Sequence, residues 1–307
     1  MSIAYRLLNK WWKARNDSKL IIVVGDAMTD IWMHGHFEPC QDMCNKFVVE
    51  ERYETPGGAA NAVDCAKTWS TRVELYSALD SLTWTRKTRL VDPSGRIVSR
   101  IDEDNYGSLS NWSRRSLLES IPYAGACLLS DYDKGTLAPD LIRTIIEMCA
   151  RNITPCIVDA KRPPPLYTGA LLKCNATYSH RWSGAGDVVT DGSRPPIVGG
   201  KRIDIDLPPV ECINHVGAGD CFAIHLALGL ANGLSLEEAA TLAHSAGRVY
   251  VQRSRRYPVT PEEISRDVNL GVSTVPRNTP QASQNGPQGD SAGRVVGAPQ
   301  EERQEAL

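Results

Sequence analysis

The chain has 307 residues, of which 42% are hydrophobic, and it carries a formal net charge of -2 at pH 7. This length can bury a sizeable core and fits one large α/β domain or two small ones, of which we favour the first. The nearly balanced charge gives no reason to expect a nucleic-acid partner, so small-molecule chemistry is the better starting hypothesis.

The cellular compartment can be inferred from cysteine usage and hydropathy. The nine cysteines are scattered rather than grouped in a dense framework, which favours reduced thiols. No apolar run reaches the roughly 20 residues that cross a bilayer, and the N-terminus lacks the order of a signal peptide. Residues 1–18 can form a short amphipathic extension, for which packing on the domain is favoured over membrane contact. We therefore expect a cytoplasmic protein with no membrane partner.

The first predicted strand is Leu20 to Val24, a continuous apolar run typical of a central parallel strand. It ends at Gly25 and Asp26, and polar residues that follow such a strand face the usual ligand crevice of an α/β sheet. Asp26 and Asp30 are therefore candidates to bind substrate hydroxyls. The alternative is a turn aspartate and a surface aspartate.

A second region, residues 32–54, has a strand-like but irregular pattern and contains two histidines and two cysteines. Their spacing matches none of the strong zinc patterns, so no metal ligand is assigned. The following segment, Thr55 to Asn61, opens a helix. Gly57 and Gly58 let a ligand approach the backbone closely, and Asn61 offers both a donor and an acceptor to a sugar hydroxyl.

Two strand-like pieces, residues 85–91 and 96–101, are joined at an Asp-Pro-Ser-Gly turn, which predicts a hairpin. Basic residues line it, among them Lys87 and Arg89. They form either a solvated face or a contact to an anionic substrate.

Strands and helices then alternate along the chain. Helices are predicted over residues 110–121 and 141–150, and strands over residues 126–130 and 155–158. Polar residues follow both strands: Asp131 and Lys134 after the first, and Lys161 after the second. The alternation predicts an α/β fold with a doubly wound, mostly parallel sheet and right-handed crossovers.

The most informative stretch is Ile213 to Gly233, where a glycine turn (Gly217, Ala218, Gly219) leads through Asp220 into an apolar run predicted as a buried helix. The first amides of a helix have no partners within it and lie at its positive end, which suits an anion. A carboxylate there can accept a proton from a hydroxyl that attacks phosphorus, which makes Asp220 a candidate general base. The alternative is an N-cap aspartate on a core helix.

The same four letters, Gly-Ala-Gly-Asp, occur earlier at residues 184–187. That copy is followed by a short β-branched run, an Asp-Gly turn and two prolines, so no helix can begin there. We therefore treat it as a loop and Asp220 as the functional aspartate. Further on, Leu236 to Val251 reads as a helix, and residues 269–307 have a composition typical of a disordered tail.

Four motifs occur in a fixed order along residues 20–265. They are Val24–Asp30 (VGDAMTD), Pro56–Asn61 (PGGAAN), Leu129–Gly135 (LSDYDKG) and Val216–Asp220 (VGAGD). As an ordered set they resemble the ribokinase-like (PfkB-type) sugar kinases, most of all the heptose-phosphate kinase domain of the bacterial ADP-heptose pathway.

The resemblance implies a kinase domain over residues 19–268 that transfers a phosphoryl group from ATP, with Mg²⁺, to a hydroxyl of a sugar or sugar phosphate. Asp220 would be the base, and Gly217, Ala218 and Gly219 the anion hole. A small β-clasp lid near residues 32–54 and 85–101 would cover the sugar and allow a homodimer through the lid. The implied acceptor-side residues are Asp26, Asp30, Gly57, Gly58, Asn61, Lys87, Arg89, Asp131 and Lys134. The implied nucleotide-side residues are Lys161, Asn175, Thr190, Gly192 and His244.

The chain also departs from the family pattern. The family's Asn-x-x-Glu, which helps to organise Mg²⁺, has Tyr178 in place of the glutamate, and Asn214 replaces an aspartate tied to a monovalent cation. The chain is shorter than the family near residues 78–85 and 180–187, which predicts a reduced lid and nucleotide pocket. Two alternatives therefore stay open: a degenerate kinase that binds a sugar or nucleotide in a regulatory role, and a nucleoside kinase of the same family.

Overall fold

A computed structural model describes residues 19–40, 45–69, 71–78, 83–205 and 207–270. The predicted extension at residues 1–18 and residues 271–307 of the predicted tail lie outside this part of the chain. Residues 269 and 270, also predicted as tail, instead end the last helix of the described residues, Pro261–Leu270.

The strands and helices of the described residues have the following bounds. The strands are β1 Leu20–Gly25, β2 Ala27–Pro39, β3 Asn45–Gly58, β4 Val73–Tyr76, β5 Thr85–Val91, β6 Ile97–Glu103, β7 Ala124–Asp131, β8 Cys156–Ala160, β9 Leu171–Asn175, β10 Val188–Asp191, β11 Arg194–Val198 and β12 Lys201–Arg202. The α-helices are α1 Ala59–Ala66, α2 Asn111–Ser120, α3 Pro139–Arg151, α4 Ala176–Arg181, α5 Ala218–Ala231, α6 Leu236–Val251 and α7 Pro261–Leu270.

The larger sheet has the strand order β12-β11-β10-β9-β8-β7-β1-β4. Pairing is parallel from β4 to β10 and antiparallel at β11 and β12. Because the parallel strands share one direction, their carboxyl ends meet at one edge of the sheet. This edge is where ligands bind in open α/β sheets.

The central strand β1 explains why helices cover both faces of this sheet. Successive side chains of a strand point to opposite faces. Ile21 and Val23 accordingly join a core with α1, α5 and α6, whereas Ile22 and Val24 join a second core with α2 and α3. A strand buried on both sides is apolar throughout, which is why its sequence reads as one continuous run.

The smaller sheet has the order β3-β2-β5-β6. Its central pair, β2 and β5, is parallel, and both outer strands are antiparallel to their neighbours. It corresponds in position to the predicted lid, but β2 and β3 form one long ladder rather than an irregular region. The irregularity in the sequence matches a single register shift between His34 and Gly35.

The structure adds elements that the sequence patterns did not predict: β9, β11, β12 and α7. Two prolines, Pro195 and Pro196, lie within β11. They lie where the β10–β11 register shifts, between the pairs Val189–Ile197 and Asp191–Arg194. A proline is tolerated at such a bulge because no ladder N–H is required of it.

No helix among the described residues is both long and apolar enough to span a membrane.

Candidate active site

The polar residues predicted at the strand ends are brought together by the register of the parallel sheet. Gly25 pairs with Ser130, Ser130 with Asp159, and Asp159 with Lys173. The next pair along the edge is Asn175 with Thr190. Residues far apart in sequence therefore line one continuous edge.

Asp220 lies at this edge in the first turn of α5, and its residue is 4% exposed. Tyr132 Oη donates to its Oδ1 at 2.6 Å, and Asn61 Nδ2 donates to its Oδ2 at 3.0 Å. Burial raises the pKa of Asp220 to about 6, and the nearby charge of Asp159 adds to this, against the two hydrogen bonds and Lys161. A carboxylate with this pKa is ionised at neutral pH but still basic enough to take a proton.

The helix start beside Asp220 has free backbone donors. Gly217 has φ 87° and serves as the N-cap. The Ala218 amide donates to His215 O at 3.1 Å, whereas the amides of Gly219 and Asp220 have no acceptor among the described residues. The turn therefore uses the Ala218 amide internally, and the anion hole at Gly217, Ala218 and Gly219 stays a prediction.

Two lysines add positive charge to the same place. Lys173, 3% exposed at its side chain, pairs with Asp159 at 3.0 Å and donates from Nζ to Gly219 O at 3.1 Å. Lys161 Nζ lies 3.7 Å from the other Asp159 oxygen, and over the ring of Tyr132 at 5.1 Å. Burial opposes the charge of Asp159, but the two lysines outweigh it and lower its pKa.

Asp30 lies between two guanidinium groups. Arg89 Nη1 donates to its Oδ1 at 2.5 Å, and Arg256 Nη2 lies 2.9 Å from its Oδ2. Both guanidinium groups also lie over the Trp32 ring, at 5.1 and 5.3 Å. Gly57 permits this packing, since a Cβ there would lie 2.7 Å from Asp30 Oδ2. The sequence patterns predict that Asp30 binds a substrate hydroxyl. In the structure its carboxylate is already paired with two guanidinium groups.

Asn61 connects the acceptor side to the helix start. Besides Asp220, its Nδ2 donates to Gly217 O at 3.1 Å, and its Oδ1 accepts from Tyr250 Oη at 3.2 Å. With all these contacts inside the protein, Asn61 holds Asp220 and the glycine turn in place.

Asp26 and Asp131 have structural partners that the predicted acceptor role did not anticipate. The Asp26 carboxylate accepts from the backbone amides of Tyr132, Lys134 and Thr136 at 2.9 to 3.1 Å. Asp131, which is fully buried, accepts from Arg162 and from Tyr167 Oη at 2.7 Å. Their oxygens are used to fix the loop after β7, because a buried carboxylate must be paired. This geometry does not favour direct binding of the substrate by either Asp26 or Asp131.

The remaining predicted acceptor-side residues lie on the lid and its borders. Lys87 pairs with Asp102 across β5 and β6 at 3.5 Å. Lys134 Nζ donates to Asp104 at 2.6 Å and lies over the Tyr106 ring at 4.9 Å. Gly58 has φ 56° and caps α1, where a Cβ would meet Asp26 O at 2.4 Å.

On the predicted nucleotide side, Asn175 caps α4 by accepting from the Tyr178 amide at 3.0 Å. Thr190 Oγ1 donates to Cys174 O at 3.4 Å, and Gly192, with φ 60°, forms the turn after β10. His244 is buried in α6, where burial and Arg248 lower its pKa to about 4, so it is neutral. Within the described residues, no group of three His, Cys, Asp or Glu side chains could hold a metal ion.

The duplicated motif behaves as the sequence predicted. Its aspartate, Asp187, accepts from the Leu172 amide at 2.7 Å and stands in a loop that runs directly into β10. No helix begins at this copy.

Sequence reasoning missed four residues of the site: Tyr132, Lys173, Tyr250 and Arg256. Tyr132 belongs to a quoted motif but had no role assigned, and Lys173 is a buried lysine in an otherwise apolar strand. Arg256 stands in a loop to which the sequence patterns assign no role. Their roles depend on contacts between distant segments, which local patterns do not report.

Comparisons with known proteins agree with this geometry. A family profile described as "pfkB family carbohydrate kinase" matches residues 187–262. A curated relative, "Bifunctional protein HldE" of Trichlorobacter lovleyi, is 26% identical over 308 residues, which cover 81% of this chain and 62% of that protein. The chain spans less than two thirds of the length of the first such relatives.

Two solved structures have a similar fold. A putative ribokinase from Agrobacterium tumefaciens superposes with a TM-score of 0.63 at 17% identity, covering 83% of this chain and 99% of that one. The ribokinase of Arabidopsis thaliana, complexed with ribose and ATP, gives 0.59 at 17% identity, covering 82% and 99%. The predicted fold and the predicted resemblance are thereby confirmed: the chain is similar to the ribokinase-like, PfkB-type carbohydrate kinases.

Proposed function

We propose that this protein is an ATP-dependent kinase that phosphorylates a hydroxyl of a sugar or sugar phosphate. The observation that carries the proposal is Asp220, a buried carboxylate with a pKa of about 6, beside the free amides of Gly219 and Asp220. Transfer of a phosphoryl group to a hydroxyl requires a base and an anion site that lie next to each other.

In the proposed reaction the acceptor hydroxyl lies against Asp220 and attacks the terminal phosphorus of ATP. The bond from phosphorus to the bridging oxygen breaks, ADP leaves, and the hydroxyl proton passes to the Asp220 carboxylate. Tyr132 and Asn61 orient this carboxylate through their hydrogen bonds. The Gly219 and Asp220 amides stabilise charge on the phosphoryl oxygens.

The nucleotide phosphates fit the positive charge of Lys161 and Lys173 at the same edge. Mg²⁺ fits the described residues less well, since Asp159 is held by both lysines and Asn175 caps a helix. We propose that Mg²⁺ enters with ATP and keeps water and phosphate ligands, as it commonly does, supplying charge neutralisation. No step of the reaction is assigned to a protein-bound metal.

The direct test follows ADP release across a panel of free sugars, sugar phosphates and nucleosides. We expect turnover with a sugar or sugar phosphate and a loss of about 10²- to 10⁴-fold in kcat for Asp220→Asn, the usual cost of removing a positioned base. The matched control is Asp187→Asn, in the second copy of the same four-residue motif, which should leave turnover unchanged.

Three outcomes would contradict parts of the proposal. Unchanged turnover in Asp220→Asn would remove the assigned base. Preference for nucleosides would replace the acceptor class. Binding of sugar or nucleotide without any turnover in the unaltered protein would favour a regulatory binding protein.

A further inference from the structure

Arg256 is the most unusual residue of the site. It stands in the loop between α6 and α7, and its side chain is 4% exposed. Nη2 contacts Asp30 and also Thr55 Oγ1, so this end of the guanidinium is held. Its Nε and Nη1 are buried and have no hydrogen-bond partner among the described residues. Buried donors without a partner are costly, so these atoms call for an explanation.

The Nη1 atom of Arg256 lies at the start of α5. A Cβ built on Gly217 would lie 3.0 Å from Arg256 Nη1, 2.6 Å from Asn61 Nδ2 and 2.7 Å from Tyr250 Oη. Burial opposes the charge of Arg256, but Asp30 outweighs it and Asp220 adds to the effect, so its pKa is raised. The guanidinium thus spans from the acceptor side to the helix start.

The charges around this point favour an anion. The cationic side chains are Arg89, Arg256, Lys161 and Lys173. The carboxylates are Asp30, Asp159 and Asp220. Asp30 is paired with both arginines and Asp159 with both lysines, and the positive charge grows when Asp220 takes a proton. The positive end of the α5 dipole adds to it.

We infer that Arg256 is a further catalytic residue, which donates from Nη1 to the phosphoryl group as it passes from ATP to the acceptor. This rests on the proposed function. In that transfer the bond to ADP breaks, the bond to the acceptor oxygen forms, and the acceptor proton goes to Asp220. Arg256 exchanges no proton and stabilises the charge on the phosphoryl oxygens. Asp30 is then a positioning residue that aims Arg256 at the helix start.

Arg256→Met tests this role, with kcat and KM for the acceptor measured beside ATP hydrolysis in the absence of acceptor. We expect kcat to fall by about 10²- to 10³-fold, the usual loss of one donor at developing negative charge, with KM for the acceptor nearly unchanged. Hydrolysis of ATP by water should fall in parallel, because it uses the same phosphoryl group and no acceptor.

A second readout does not depend on turnover. Calorimetry with ADP and aluminium fluoride, which mimics the group in transfer, should show weaker binding to Arg256→Met, while binding of ADP alone is unchanged. Arg256→Lys keeps the charge beside Asp30 and should retain part of the affinity for the mimic. It replaces Arg256→Met in this measurement if the methionine variant does not fold. The control is Arg255→Met, since Arg255 is exposed and pairs with Glu51.

The outcomes separate the inference from the proposed function. A higher KM for the acceptor with unchanged ATP hydrolysis would overturn the inference and assign Arg256 to acceptor binding. Equal kinetics in Arg256→Met and the unaltered protein would also overturn it, yet leave the kinase proposal intact. Absence of ATP hydrolysis and transfer in the unaltered protein would remove both.

Discussion

At the scale of single residues, the site is defined by how Asp220 is buried. Its carboxylate has the hydrogen bonds of Tyr132 and Asn61, but loss of solvent outweighs them and raises its pKa to about 6. The same aspartate on the surface would be a weaker base. Burial is therefore what turns a residue that could serve as a simple helix cap into a candidate base.

The pH dependence of the reaction follows from this burial. Only the ionised carboxylate accepts a proton, so kcat/KM is expected to rise with pH and to level off above about pH 6. The Tyr132 hydrogen bond lowers the pKa of Asp220, so Tyr132→Phe should move the acidic limb to higher pH. Profiles of kcat/KM for both proteins measure the shift. Tyr123→Phe, at an exposed tyrosine, is the control, and an unmoved limb in Tyr132→Phe would contradict the assignment.

At the scale of elements, the lid is attached to the site through close backbone packing. Gly57, the next-to-last residue of β3, packs directly against Asp30 of β2, and the two strands pair along their whole length. Asp30 in turn holds Arg89 of β5 and Arg256. The smaller sheet therefore supplies the carboxylate that orients both arginines.

Gly57→Ala tests this coupling. The added methyl would lie 2.7 Å from Asp30 Oδ2, and Asp30 cannot move away without breaking its contacts to Arg89 and Arg256. We expect kcat/KM for the acceptor to fall at least tenfold, the equivalent of about 1.4 kcal/mol, with little change in KM for ATP. The matched control is Gly247→Ala in α6, where no atom lies within 4 Å of an added Cβ. Equal kinetics in both variants would show that Asp30 adjusts freely.

The sequence predicts elements best where one local rule decides them. The apolar run of β1, the glycine turn before α5 and the failure of the duplicate motif to start a helix all follow from neighbouring residues. The pairing of Asp30 with Arg256 does not follow from neighbouring residues, because it joins strand β2 to a loop near the end of the described chain. Asp26 and Asp131 were predicted to bind substrate because strand ends usually do so, but backbone amides and Arg162 use their oxygens.

At the scale of the whole molecule, the loop that carries Arg256 depends on the packing of α6 against α7. Arg248 of α6 and Asp267 of α7 form a buried ion pair with Nε to Oδ2 at 3.1 Å, and Arg248 Nη2 donates to Pro208 O at 2.6 Å. Both side chains are 6% exposed. The pair joins the two helices on either side of the loop, so it sets the distance that the loop must span.

Asp267→Asn should therefore affect both stability and catalysis. It leaves the Arg248 charge buried without compensation, which typically costs about 3 to 5 kcal/mol. We expect a lower urea midpoint with an unchanged m-value, and a lower kcat because Arg256 is held less firmly. The double variant Arg248→Met with Asp267→Leu should recover most of the stability, because a hydrophobic pair of similar volume replaces a buried ion pair at little cost. Arg266→Met, at an exposed position of the same helix, is the control. If Asp267→Asn unfolds at the same midpoint as the unaltered protein, the pair does not hold the helices together, and the position of Arg256 must be fixed by its contacts with the smaller sheet, at Asp30, Thr55 and Trp32.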